Sequence, residues 1–372
     1  TAGIAFTYAL KEDPTYRPAA VALAKATLEN NFDPQSTDAV ALLAPLLDTL
    51  NGEPGPFLLL GRLDRRLDSL PNALIAFDHY LARGGDSGVG MLEQARTLFG
   101  LERLAAAESV YYAGASAAKS TDAVALYRGD IAYIADSAEL RDFDSTATPS
   151  LPTWLRAFWG KRDTVSGQRT GHRLAEHYRR WHYVLQHYPS WARIKQYEFM
   201  NVYRSGATPF DDRGVVYIRQ GEPDRRTWSS EGTEPNESWM YFRPQGNLVL
   251  HFAAGFTAGW HLINSLVAIA PLSDPEAAAD FFSSRVDFGP DYMKLALASE
   301  MDAGRARMRN MLSRIGQSTD ASALSGGVVT DMMLNSEYRS TIDAIRRATT
   351  TDDDPIRYAK PLDEVIQTYG AS

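Results

Sequence analysis

The chain has 372 residues, of which 44% are hydrophobic and 23% charged, and its formal net charge is −8. This length exceeds what one hydrophobic core usually fills, so we expect two or three domains, and the composition is that of a folded globular protein. The sequence contains no cysteine, which excludes disulfides, thiolate metal sites and cysteine nucleophiles. The acidic net charge argues against a general nucleic-acid-binding protein, which would need a basic surface.

A period of 34 residues runs through the first third of the chain. Small residues recur at this period at Ala39, Ala73 and Ala107, and bulky residues at Leu43, Phe77 and Tyr111. Two further series keep the same step of 34 residues: Gly61, Ala95 and Gly129, and Leu58, Leu92 and Leu126. This pattern resembles the tetratricopeptide repeat (TPR), in which a small residue lets two helices cross closely. It predicts stacked antiparallel helix pairs within residues 1–144, whose concave surface would bind a peptide or a protein. Alanine-rich hairpins that fall into register by chance are the alternative.

The segment between Trp154 and Lys195 is strongly basic. It carries nine basic residues and two acidic ones, a local balance of +7, so the rest of the chain carries −15. Aromatic residues alternate with these charges, a composition that favours protein interfaces and anionic lipid headgroups. The alternative is an internal interface with the acidic remainder of the chain. The predicted partner-binding residues are Arg156, Lys161, Arg162, Arg169, Arg173, Trp154 and Trp159.

The same segment predicts a helix over GHRLAEHYRRWHYVLQHY. Its apolar face is formed by Leu174, Tyr178, Trp181 and Leu185. Histidines stand at positions 172, 177, 182 and 187, five residues apart. On an α-helix this spacing rotates each histidine by about 140° relative to the one before it, so successive histidines do not share a helix face. We therefore predict no metal site here. For the chain as a whole we predict no cofactor.

Short alternating segments after this helix predict a small antiparallel sheet. They are GVVYIRQ (214–220), ESWMYFR (237–243) and NLVLHFA (247–253), with HLINSLVAIA (261–270) as a fourth candidate. A Gly-Glu-Pro-Asp turn would end the first strand, and PQGN (244–247) would join the second to the third. We expect the sheet to pack on the face formed by Leu174, Tyr178, Trp181 and Leu185.

Several motifs in this region resemble, in the same order, those of GWxTD domain proteins. They are Trp159, Arg162-Asp163, Glu176 to Arg180, Asp212-Arg213-Gly214 leading into VYIRQGEPD, Trp239 to Phe242, and His261 to Ile263. Where Gly-Trp-x-Thr-Asp is expected, the chain has Thr208-Pro209-Phe210-Asp211-Asp212 and keeps only the final aspartate. The resemblance covers about residues 150–270. It implies an extracytoplasmic bacterial protein with helical repeats before the domain, and it brings no catalytic activity with it.

Charged residues gather around the predicted first strand. They are Arg213, Arg219, Glu222, Asp224, Arg225 and Arg226. In one interpretation Glu222 and Asp224 are weak catalytic candidates that do acid–base work while arginines hold an anion. In the interpretation that we favour, the acidic residues cap turns and the arginines form ion pairs or face solvent. No nucleophile or set of metal ligands accompanies the carboxylates.

Residues 272–372 are predicted to be helical. Asp274 suits the N-cap of a helix over DPEAAADFFSSRV. A longer helix follows that places Met301, Met308, Leu312 and Ile315 on one face. A methionine stripe of this kind favours a core position and also suits an adaptable contact surface. A shorter helix is predicted over SEYRSTIDAIRRA.

Together these patterns predict an α+β, mainly helical protein with three domains: TPR-like repeats over 1–144, a GWxTD-like domain over 150–271 and a helical region over 272–372. We expect a non-catalytic interaction or scaffold protein of the bacterial cell envelope, an accessory subunit on the periplasmic face of a membrane complex of transport, respiratory or photosynthetic type. Its partners would be a protein and an anionic membrane surface, and not nucleic acid. The alternative is an extracytoplasmic hydrolase or transferase that uses Glu222 and Asp224 in a cleft.

Overall fold

The computed structural model describes residues 2–30, 33–45, 53–190, 209–244, 247–255, 259–263, 266 and 269–315. In this part of the chain the protein is mainly helical with one four-stranded antiparallel sheet, which confirms the predicted α+β class. The described residues form two compact units, a helical unit over 2–221 and a sheet unit over 222–315. The division falls after Gly221, inside the segment predicted as one domain over 150–271. The other predicted domain limits stay predictions.

The helical unit begins with short helices joined by tight turns. Side chains cap several of these helices: the carboxylate of Asp86 accepts a hydrogen bond from the N–H of Val89, and Asp136 forms a capping box with Glu139. The helices are α1 (Ala2–Glu12), α2 (Arg17–Asn30), α3 (Asp33–Leu43), α4 (Gly55–Arg66), α5 (Leu70–Ala82), α6 (Ser87–Gly100), α7 (Leu104–Ala117), α8 (Thr121–Ile131), α9 (Ser137–Ser145), α10 (Leu151–Val165), α11 (His172–His187) and α12 (Asp212–Gln220).

Helices α4 to α7 form the predicted antiparallel pairs. A β-carbon on Gly61 of α4 would lie 2.5 Å from the Phe77 ring of α5, so these helices cross where only glycine fits. The alanines predicted to face a crossing, Ala73 on α5 and Ala107 on α7, are fully buried, and each lies on the second helix of its pair. The 34-residue period therefore marks real helix pairs, while membership of the TPR family stays a prediction.

The aromatic face of α11 packs inside the helical unit. The Tyr178 ring stacks on Phe99 of α6, with centroids 4.9 Å apart, and meets the Tyr111 ring of α7 edge-on. The indole N–H of Trp159 donates to the Tyr111 hydroxyl at 3.2 Å. The observed partners of this face are thus rings of the repeat helices, and packing by the sheet stays a prediction.

The first predicted strand, 214–220, is wrong, because these residues form helix α12. The carboxylate of Asp211 accepts hydrogen bonds from the N–H groups of Arg213 and Gly214 and so caps the helix. Four consecutive apolar residues after the cap are buried: Val215, Val216, Tyr217 and Ile218. A short, fully buried apolar run has no periodicity that separates a strand from a helix. The Asp211 cap is therefore the local feature that indicates a helix here.

The sheet has the strand order β1-β2-β3-β4, and each strand pairs antiparallel with the next. The second and third predicted strands are confirmed as β2 and β3, which are neighbours with Tyr241 opposite Leu248. Strand β1 was not predicted, and Pro223 lies in the bend before it. The fourth candidate ends at Ile263 rather than 270, and Gln245 and Gly246 of the predicted turn lie outside the described residues. The strands are β1 (Arg225–Ser229), β2 (Asn236–Tyr241), β3 (Leu248–Gly255) and β4 (Gly259–Ile263).

Two helices complete the sheet unit, α13 (Pro275–Ser283) and α14 (Pro290–Ile315). The predicted N-cap is confirmed, since Asp274 accepts hydrogen bonds from the N–H groups of Glu276 and Ala277. The core position predicted for Met301 is wrong: its side chain is 47% exposed, whereas Leu295 and Ala303 face the interior. The side chains of Met308, Leu312 and Ile315, and the helix predicted over 336–348, lie outside the described residues.

Candidate functional site

Exposed cations of the predicted basic segment lie on α10 and in the turn after it, and Arg179 is exposed on α11. Arg156, Lys161 and Arg169 are exposed, and the Arg156 guanidinium lies over the Tyr112 ring, 3.7 Å from its centroid. Within the described residues, neither Arg156 nor Arg169 forms an ion pair. The Lys161 ammonium is 3.4 Å from Glu139, a carboxylate that already binds Arg162 at 2.6 Å. We call these three cations, two on α10 and Arg169 beyond its end, the α10 basic face.

Trp159 and Arg162, also predicted to bind a partner, are interior residues. Arg162 is buried, and its guanidinium binds Glu139 and donates to the carbonyl oxygen of Ile134, just beyond the end of α8. Burial opposes ionisation of Glu139, but the Arg162 hydrogen bonds and charge hold its pKa below the ordinary value. These two residues therefore stabilise the fold.

The other two residues predicted to bind a partner are neither fully exposed nor fully buried. Trp154 is half-buried, and its indole N–H donates to Asp142 at 2.7 Å. Arg173 is half-buried, and burial, with the nearby Arg180, lowers its pKa. Arg180 is itself buried, binds Glu176 at 2.6 Å and donates to the carbonyl oxygens of Ile218 and Arg219 at the end of α12. The basic segment is thus divided between buried residues with internal contacts and exposed cations, and binding of a partner by the exposed ones stays a prediction.

Glu222 and Asp224, the weak catalytic candidates, are both exposed. The Asp224 carboxylate accepts the backbone N–H of Phe242 at 2.6 Å, which ties the start of β1 to the end of β2. In the described part of the chain, no group of three or more acidic or histidine side chains could hold a metal ion. This geometry supplies no enclosed acid–base pair and gives the hydrolase alternative no support.

A cavity between α3, α4 and α5 was not anticipated from the sequence. It has a volume of about 290 Å³ and is lined mainly by apolar side chains, with Asp64, Asn72 and His79 among its walls. Asp64 is only 5% exposed, and burial raises the pKa of its carboxyl to about 6. The sequence contains a sign of this burial. Phe57, Leu60 and Asp64 are spaced by three and four residues, so the carboxylate lies on the apolar face of the helix, where charged residues are uncommon.

Comparison with known proteins yields no match: no family model, no curated protein and no solved structure is similar to this chain. The resemblances to GWxTD and TPR proteins accordingly stay predictions. Among the described helices, none combines the length and the apolar character that crossing a membrane requires.

Proposed function

We propose that this chain is a non-catalytic interaction protein whose α10 basic face binds an acidic surface of a protein partner. The observation that carries the proposal is the exposure of Arg156, Lys161 and Arg169 in an acidic protein, with two of the three in no ion pair within the described residues. A local positive field of this kind steers an acidic partner over about one Debye length, roughly 8 Å at physiological salt.

The neighbourhood of the α10 basic face suits a contact surface. Val165, at the end of α10, is exposed, and the half-buried Trp154 lies near its start. Aromatic and arginine side chains are enriched in protein interfaces, where a rigid ring supplies area and a guanidinium supplies several donors. The interior ion pair of Arg162 with Glu139 holds α10 in place beneath this face.

The setting of this interaction rests on the resemblance to GWxTD domain proteins alone. We place the protein at the periplasmic side of a bacterial membrane, peripheral to a membrane protein complex in which it acts as an accessory or scaffold subunit. An anionic lipid surface is the second partner that the same cations would suit.

The test is co-purification from native envelopes in mild detergent, with mass spectrometry of the proteins retained. The variant is the triple charge reversal Arg156→Glu, Lys161→Glu and Arg169→Glu. Its matched control reverses three other exposed cations of the helical unit, Lys11, Arg103 and Lys119, which changes the net charge equally. We expect the partner to be retained by the wild-type chain and the control, lost by the variant, and lost from the wild type as salt rises above about 0.15 M.

Two other outcomes are informative. A variant that retains the same partner at the same salt would show that the basic face is not the contact. Binding of the wild-type chain to anionic vesicles but not to neutral ones, with no protein retained from envelopes, would replace the protein partner with the membrane surface.

A further inference from the structure

Asp64 is a buried carboxylate that no cation of the described residues neutralises. Its side chain is 95% removed from solvent, and within the described residues it forms neither an ion pair nor a side-chain hydrogen bond. Burial is the cause of the raised pKa of about 6, so the carboxylate is largely ionised at neutral pH. An ionised group in this position is costly unless an opposite charge reaches it.

The arginines of α4 are engaged elsewhere, as is Arg83 at the end of α5. Arg62 binds Glu93 at 2.7 Å. Arg65 binds Glu93 at 2.6 Å, and Arg66 donates to the carbonyl oxygens of Thr27 and Leu28 at 2.7 and 3.0 Å, near the end of α2. Arg83 lies over the Phe57 ring, 4.1 Å from its centroid. The helix thus presents Asp64 to the cavity while its arginines serve other contacts.

The cavity walls suit a chain that is apolar along its length and charged at its tip. Val40, Ala44, Leu60 and Ala76 supply aliphatic surface, and His79, whose ring meets that of Phe57, lines the wall. Ile75 lines the cavity and is 54% exposed, so apolar surface continues to the outside of the protein. A volume of about 290 Å³ lies at the lower limit for small-molecule pockets, roughly 300 Å³, and fits a single long side chain.

We propose that this cavity, with Asp64 at its wall, binds a lysine or arginine side chain of a protein partner. Such side chains bury an aliphatic stem against apolar surface and carry the positive charge at the end, which complements the apolar walls and the unpaired carboxylate. The inference goes beyond the proposed function: it concerns helices α3 to α5, not α10, and does not depend on the α10 basic face.

The experiment follows the methyl resonances of Val40 and Ile75 in the full chain by NMR while small probes are added. The probes are n-butylammonium, its neutral counterpart n-butanol, and butyrate. We expect saturable shifts with butylammonium and no binding of butyrate. Butanol should bind at least about tenfold more weakly than butylammonium, because it lacks the charge that strengthens the hydrogen bond to the carboxylate.

Three variants of the chain identify the site. Asp64→Asn should weaken butylammonium binding by at least about tenfold and leave butanol binding unchanged. Asp78→Asn, an exposed aspartate on α5, is the matched control and should bind like the wild type. Ala44→Leu, which adds a side chain at the cavity wall, should abolish both shifts. Absence of shifts at Val40 and Ile75 with butylammonium, or equal binding to Asp64→Asn, would overturn the proposal.

A second arm distinguishes a partner's side chain from a free amine. Blocked tripeptides carry either lysine or its uncharged analogue norleucine in the central position. A lysine peptide that binds more tightly than butylammonium and much more tightly than the norleucine peptide supports the proposal. A lysine peptide that binds no more tightly than butylammonium would overturn the assignment to a protein side chain. Loss of function in the α10 charge reversals would not alter either result, so the two proposals fail separately.

Discussion

Arg96 and Asp130 form a two-pronged ion pair, with Nε to Oδ2 at 2.9 Å and Nη2 to Oδ1 at 2.5 Å. The two residues are 34 positions apart, on α6 and α8, so the pair joins equivalent points of successive repeats. The Tyr178 hydroxyl of α11 donates to the same carboxylate at 2.6 Å. On its other side Arg96 reaches Glu93, which also binds Arg62 and Arg65. Burial would raise the pKa of Glu93, but the three arginines hold it well below the ordinary value.

Replacing Asp130 by asparagine should destabilise the helical unit severely. The change leaves the largely buried Arg96 guanidinium without its full countercharge, and breaking a buried ion pair costs about 3–5 kcal/mol. Denaturant unfolding followed by circular dichroism measures the loss. Asp144→Asn is the control, because it removes an equally short pair with Arg128 that is nearly half exposed, and its unfolding midpoint should stay close to that of the wild type.

Alanine at two glycines of the 34-residue series should have opposite effects. At Gly61 the added β-carbon would meet the Phe77 ring, and overpacking of this kind costs about 1–3 kcal/mol. At Gly129, which is on α8, nothing lies within 4 Å of the added atom, so the higher helix propensity of alanine should stabilise by roughly 0.5–1 kcal/mol. Thermal unfolding of both variants gives the sign of the change in stability. Equal effects at the two sites would contradict the helix-crossing interpretation.

His177 should make the protein sensitive to acid. It is fully enclosed near Trp159 and Trp181, and in the described structure neither ring nitrogen has a hydrogen-bond partner. Burial, assisted by Arg180 and other arginines, lowers its pKa to about 3. The unfolded chain takes up a proton below its ordinary pKa of 6.5 and the folded chain does not, so stability is lost as pH falls from about 6.5 towards 3, by up to about 1.4 kcal/mol per unit.

His177→Phe should remove this loss. At neutral pH the variant should be as stable as the wild type or more so, since two unsatisfied buried nitrogens disappear. At about pH 4.5 its advantage should reach roughly 2–3 kcal/mol. Urea midpoints at both pH values test this, with exposed His187→Gln as the control. An advantage that does not grow on acidification would show that His177 titrates normally.

Asp64 should act in the opposite pH direction. Its folded pKa of about 6 exceeds the ordinary 3.8, so the folded state holds the proton more tightly, and stability falls as pH rises from about 4 to about 6 and then levels off. Asp64→Asn should therefore stabilise by on the order of 2 kcal/mol above pH 6 and have little effect near pH 4. Unfolding curves across this range measure the difference. A constant difference at all pH values would contradict an unpaired buried carboxylate.

The sequence by itself determined the helix pairs and the central sheet hairpin. Ala73, Phe77, Ala107 and Tyr111 fall at the observed crossings because a helix crossing needs a small residue at a fixed repeat position. Strands β2 and β3 were foreseen from their alternation and composition, and the cap at Asp274 from local hydrogen bonding alone. These features depend on contacts between residues that are near in sequence or one repeat apart.

Tertiary structure decided the rest. The run at 215–218 is an exception, because its buried apolar pattern fits either a strand or a helix and the local Asp211 cap, not a distant contact, marks the helix. Within the basic segment, Arg162 binds Glu139 inside the protein while Arg156 remains at the surface. Composition does not distinguish them, because the side that a helix turns inward depends on which distant elements pack against it. The burial of Asp64 likewise requires α3 and α5 to enclose one face of α4, which places that carboxylate in a cavity rather than in water.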